Sequence, residues 1–127
     1  MKKMISTLFK AIALSMIQVM GDNKAILVSV ADDLEYGDDN KPTGKVLGTK
    51  YEVICSKMKY IPLTVKVSTL PPIISQEQID TATDPIWITF DGFAAHFYEM
   101  RGEIGISCKA TKATLVHTEA NKYEKNN

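Results

Sequence analysis

From Pro85 to Val116 the chain reads PIWITFDGFAAHFYEMRGEIGISCKATKATLV, and few folds accommodate that stretch. Its alternation predicts two long strands joined at Met100-Arg101-Gly102. The first arm sets Ile86, Ile88 and Phe90 against Trp87, Thr89 and Asp91. Beyond Gly92 it resumes with Phe93, Ala95 and Phe97 against Ala94, His96 and Tyr98. A glycine inside such a pattern marks a bulge that bends the strand and shifts its inward register by one residue, as at the corner of a small barrel. In the return arm Ile104, Ile106, Cys108 and Ala110 alternate with Gly105, Ser107, Lys109 and Thr111. One face is apolar and suits a core; the other is small, polar and basic and suits a partner.

Three further strands precede this ribbon. Ala25 to Val30 is nearly continuous in apolar character, which places it centrally in a sheet. Lys45 to Ser56, KVLGTKYEVICS, sets Leu47, Tyr51, Val53 and Cys55 against Val46, Lys50, Glu52 and Ile54. Ser56 to Lys59 turns the chain, and from Tyr60 to Ser68 the residues Ile61, Leu63, Val65 and Val67 alternate with Pro62, Thr64 and Lys66. Pro62 has no N–H to donate, so this strand starts at a sheet edge or a bulge. Thr69-Leu70-Pro71-Pro72 ends it, and Ser75 to Asp80 carries the N-cap serine and early acid of a short helix. Three meandering strands, a helix, then a hairpin is the order of the OB-fold. The expected architecture is therefore mainly β: a five-stranded OB-fold-like Greek-key barrel, with an N-terminal amphipathic helix and a short helix between strands 3 and 4. Ile61, Leu63, Val65, Ile88, Phe90, Phe97, Ile104 and Ile106 are the expected core.

A length of 127 residues with 45% apolar content supports one domain with its own core. That domain is expected over residues 22–117. Residues 1–21 form the amphipathic helix, since Ile5, Leu8, Phe9, Ile12, Met16 and Val19 recur at helical spacing and Gly21 ends the pattern. Lys10, Ser15 and Gln18 interrupt the apolar run, which argues against a secretory signal or a membrane span. Residues 118–127 lose all apolar periodicity and are expected to be a disordered tail.

Fifteen basic residues balance fifteen acidic ones, but not locally. Lys41 to Lys66 holds six lysines and one acid, Glu52, whereas Asp32 to Asp39 holds five acids and no base. The acidic stretch does not read as a calcium loop. With Gly37 at the sixth position and Asp32 at the first, the third, fifth and twelfth ligands would be Leu34, Tyr36 and Thr43. A solvated hairpin loop fits better. Cys55 and Cys108 fall inside apolar strand patterns and read as small buried hydrophobes, which favours a reducing, cytoplasmic setting. No paired-cysteine or paired-histidine spacing suggests a metal site, and no cofactor is expected. Glycine-rich phosphate loops and G-x-S-x-G elbows are absent, and His96 and His117 stand alone, so no enzymatic activity is expected.

Binding chemistry is more legible. Lys50, Tyr60, Lys66 and Trp87 point away from the apolar positions of their own strands, and Lys57 and Lys59 lie on the turn between strands 2 and 3. Bases stack on such aromatics and phosphates meet such lysines. The runs KPTGKVLGTKYEVICSKMKYIPLTVKV and WITFDGFAAHFYEMRGEIGISCKATKATLV resemble small single-stranded-DNA-binding, OB-fold-like proteins of conjugative plasmids, integrative elements and phages of Gram-positive bacteria. That resemblance covers about Ala25 to Val116. It implies single-stranded DNA as the partner, in replication or conjugative transfer, with no cofactor and with Lys50, Lys57, Lys59, Tyr60, Lys66 and Trp87 as the binding residues. The competing reading is a protein–protein adaptor or assembly subunit, forming a homo-oligomer through the methionine-rich N-terminal helix rather than meeting a membrane.

Overall fold

Gly92 divides the Pro85–Val116 ribbon. In the computed structural model, which describes residues 13–116, Gly92 has φ +64°, and a side-chain carbon there would run into the Thr111 side chain of the opposite arm. Both the left-handed backbone and the close approach require glycine. The Thr111 amide and hydroxyl donate to the Asp91 carbonyl at 2.9 and 3.0 Å, fixing the bend from the other side. Each arm is thereby split: β4 (Ile86–Asp91) from β5 (Ala94–Met100), and β6 (Glu103–Ala110) from β7 (Lys112–Val116). Hence there are seven strands where five were expected. The alternation on either side of Gly92 is as read from the sequence, with Ala95 buried and His96 and Tyr98 exposed.

The remaining elements are α1 (Met16–Met20), β1 (Ala25–Tyr36), β2 (Pro42–Cys55), a 3-10 turn over Ser56–Met58, β3 (Ile61–Val67) and α2 (Gln76–Thr81). All seven strands belong to one curled sheet in the order β5-β6-β3-β2-β1-β4-β7. Every pairing is antiparallel except β3 with β6. The two ends of the sheet are the two halves of one bent hairpin, and this continuity through Gly92 and Thr111 is what curls it.

Two expectations about boundaries change. The acidic stretch from Asp32 is not all loop: β1 runs to Tyr36 and β2 starts at Pro42, pairing Asp32 with Thr49, Asp33 with Gly48 and Tyr36 with Pro42. Backbone pairing, punctuated by register shifts, absorbs a polar sequence that lacks strand periodicity. At the N-terminal side, helix among the described residues begins at Met16. Ser15 caps it reciprocally with Gln18, and Leu14 is extended, exchanging backbone hydrogen bonds of 2.8 and 3.0 Å with Ala95 on the free edge of β5. Gly21, at φ +75°, closes the helix as expected. The rest of the helix expected over residues 1–21, and the tail with His117, lie outside the described residues.

Inside the curl, Ala25, Leu27, Tyr51, Val53, Cys55, Val65, Val67, Ile88, Phe90 and Ala95 pack together with Met16, Val19 and Met20 of α1. Tyr51 is 0% exposed. Its ring meets Phe90 edge-on at 6.0 Å, and its hydroxyl oxygen accepts from the Ile73 amide at 3.1 Å. The loop after β3 is thus tied to the core, and α2 follows it onto β1, where the Val30 amide donates to Gln76 Oε1 at 2.9 Å. Val65, Ile88 and Phe90 are buried as expected, while Leu63, Phe97 and Ile106 are half-buried. Ile61 and Ile104, expected inside, are 39% and 64% exposed. The cause is that β3 and β6 pair only over Val65–Val67 and Cys108–Ala110. Beyond Val65 and Cys108 the β2–β3 and β5–β6 hairpins separate, and residues toward their tips lose their cover. Among the described residues no helix is long and apolar enough to cross a membrane.

Candidate nucleic-acid interface

With Tyr51, Val65 and Cys108 turned into the core, strand alternation turns their neighbours Lys50, Lys66 and Lys109 outward. Register then aligns all three. Lys50 lies opposite Lys66 across β2–β3, and Lys66 lies beside Lys109 across β3–β6. Three lysines therefore occupy one cross-strand row on the outer face, where like charges repel. None of them is in an ion pair; among the described residues the ion pair is Lys45 with Glu35, 3.9 Å apart on the β1–β2 ribbon. Two acids on this face lie one row away, Glu52 opposite Thr64 and Ser29 on one side and Asp33 opposite Gly48 on the other. Such a row is a ready anion site along the backbone of a charged polymer.

An aromatic stands beside it. Tyr98 of β5 pairs with Gly105 of β6, and its ring lies where a Gly105 side chain would otherwise be. It remains 45% exposed. Glycine opposite tyrosine gives the ring a backbone platform, leaving its other side to solvent. A cavity of about 520 Å³ lies on the hairpin tip, lined by Tyr98, Met100, Arg101, Glu103, Ile104 and Gly105.

The six residues expected from the sequence separate into three groups. Lys50 and Lys66 are direct cross-strand neighbours. Lys57, Lys59 and Tyr60 sit on the β2–β3 turn, where Lys59 and Tyr60 both adopt positive φ and the Tyr60 amide donates to the Cys55 carbonyl at 2.9 Å. That turn is five residues along β2 from Lys50, roughly 16 Å at strand rise, so one extended polymer could meet both. Trp87 belongs to a different row, Pro62–Ile54–Ile26–Trp87–Val116, which crosses the outer face as an apolar stripe. The Lys24 ammonium stands over its ring, 4.8 Å from the centroid. The structure does not bring Trp87 to the lysine row. Sequence reasoning missed Lys109 and Tyr98 as members of the site. Alternation had put both on the polar face of the ribbon, but the parallel β3–β6 pairing that carries Lys109 to Lys66 leaves no mark in local spacing.

Both thiols lie on the core side of these strands. Burial pushes the Cys55 thiol up; burial, then the neighbouring Cys55, pushes Cys108 up to about 11. Near neutral pH they are protonated apolar groups, not nucleophiles. Among the described residues no three His, Cys, Asp or Glu side chains come together as a metal site. Comparison with protein-family models, with curated proteins and with solved structures gives no match for this chain.

Proposed function

We propose that this chain binds single-stranded DNA without catalysis, laying the strand across the outer face of β2, β3 and β6. The observation that carries the reading is the row Lys50–Lys66–Lys109, aligned by register and without an ion-pair partner among the described residues. Lysines held side by side at a cost in repulsion are explained by a ligand whose phosphates relieve it. Tyr98 on its glycine platform, and Tyr60 at the far end of the β2–β3 hairpin, supply faces on which bases stack.

The barrel reading belongs to the same proposal. Taking β4 with β5 as one bent strand and β6 with β7 as another leaves five strands. The first three meander, the fourth pairs with the first, and the fifth runs parallel to the third, with α2 before the fourth. That order supports reading the curled sheet as OB-fold-like. A role in replication or transfer of a mobile element's DNA, in the cytoplasm, follows from the resemblance noted in the sequence.

Titration of the purified protein with labelled oligo-dT and with duplex DNA, at several salt concentrations, tests this. Preference for the single strand is expected, with affinity falling as salt rises by about 0.7 logarithmic units per phosphate contact per decade. Equal binding to duplex, or no binding, would reject the reading in favour of a protein–protein adaptor, whose apolar contacts respond little to salt.

A further inference from the structure

Where β3 and β6 part company below Val65 and Cys108, the outer face opens into a cleft of about 390 Å³ lined by Thr64, Lys66, Tyr98, Ile106, Ser107 and Cys108. That volume lies within the range of about 300–1,000 Å³ typical of small-ligand clefts. Its lining is arranged by chemistry. Tyr98 supplies an aromatic wall, held by Gly105. Ile106 gives an apolar contribution, and Thr64 and Ser107 give two hydroxyls from opposite sides of the split. Among the described residues, no hydrogen bond to another side chain or to the backbone occupies either hydroxyl. Lys66 stands at the lip and belongs to the lysine row.

We propose that this cleft takes one unstacked nucleotide of the bound strand, so that the protein reads a base and not the backbone alone. The inference rests on the single-strand reading above. The base lies against Tyr98, its hydrogen-bonding edge faces the Thr64 and Ser107 hydroxyls, and its phosphate lies at Lys66 with Lys109 next along the row. An aromatic wall binds any base, whereas hydroxyls that must be satisfied when the base covers them distinguish one edge from another. A continuous β3–β6 ladder would have left a flat surface and no such distinction. The same splay that exposes Ile61 and Ile104 thus creates a selective position in an otherwise sequence-tolerant path.

The test has two arms on the full chain. In the first, dTMP, dCMP, dAMP and dGMP are each titrated while backbone amide resonances are followed; shifts centred on Thr64, Gly105 and Ser107 are expected. In the second, homopolymer oligonucleotides of the four bases are bound to wild type and to the double variant Thr64→Val, Ser107→Ala, which keeps side-chain volume close to native. Wild type is expected to favour one base by about tenfold, and the double variant to lose that preference while binding the other three as before. Salt-sensitive binding of all four homopolymers with equal affinity would overturn the base cleft and leave the lysine-row reading standing. Uniform weakening of all four by the double variant would also overturn it. Nucleotide shifts in the cleft without oligonucleotide binding would remove the lysine-row reading and, with it, the proposal that the cleft reads a base of a bound strand.

Discussion

Lys66 is the middle of the lysine row, with Lys50 on one side and Lys109 on the other, so its neutralisation separates function from stability by sign. In the free protein, Lys66→Gln removes two unfavourable neighbours. Each like-charge pair across a sheet costs about 0.2–1 kcal/mol, so the variant gains roughly 0.4–2 kcal/mol at low salt. For a domain of this size that raises Tm by a few degrees. In the complex the same change removes one phosphate contact. Three contacts at about 0.7 each predict that affinity falls roughly twentyfold between 50 and 200 mM salt; two predict about sevenfold. The assay is therefore paired: thermal unfolding followed by circular dichroism at low and high salt, and oligo-dT affinity over the same salt range. A protein that is more stable at low salt, no more stable at high salt, and shallower in its binding slope is the expected result. A lowered Tm would mean that Lys66 has a stabilising partner, and an unchanged slope would mean that no phosphate meets it; either refutes the argument.

Four other outcomes follow. Gly92→Ala places a side chain at φ +64° against Thr111, and should cost about 1–3 kcal/mol in denaturant unfolding. Tyr51→Phe leaves the Ile73 amide without the oxygen it donates to, and should cost about 1–3 kcal/mol while preserving the β-type spectrum. Cys108 holds its proton more tightly folded, at about 11, than its ordinary value of 9.0; its contribution to stability is complete below pH 9 and fades as pH rises toward 11, which unfolding midpoints across that range would record. Glu52→Gln removes an acid one row from Lys50 and Lys66, and should tighten oligo-dT binding at low salt with little effect at high salt.

Much of the fold was legible because its main device is local. Gly92 interrupts a clean alternation, and the residues on both sides keep their faces in the structure, so the bend could be read from one residue and its neighbours. The short helix after the prolines was equally readable from Ser75 and the acid that follows it. What could not be read depends on partners distant in sequence. Asp32, Asp33 and Glu35 carry no strand periodicity, yet the chain there is strand because β2 offers a backbone to pair with. Ile61 and Ile104 continue apolar alternations that are sound as patterns, but alternation only assigns a face, and the separation of two hairpins decides whether that face is covered.

The candidate site shows the same division in a sharper form. Lys50 and Lys66 could be matched across one hairpin, because the turn between β2 and β3 fixes their register. Lys109 enters the row through a three-residue parallel pairing between segments more than forty positions apart, and Tyr98 enters through its position opposite Gly105 on the following hairpin. That pairing and its early termination have one origin. Val65, Val67, Cys108 and Ala110 are buried and hold β3 to β6, while Ile61 and Ile104 are not buried and hold nothing. The lysine row forms where the apolar contacts persist, and the cleft opens where they stop. An apolar substitution that extended the β3–β6 contact toward Leu63 and Ile106 would therefore strengthen the sheet and close the cleft together.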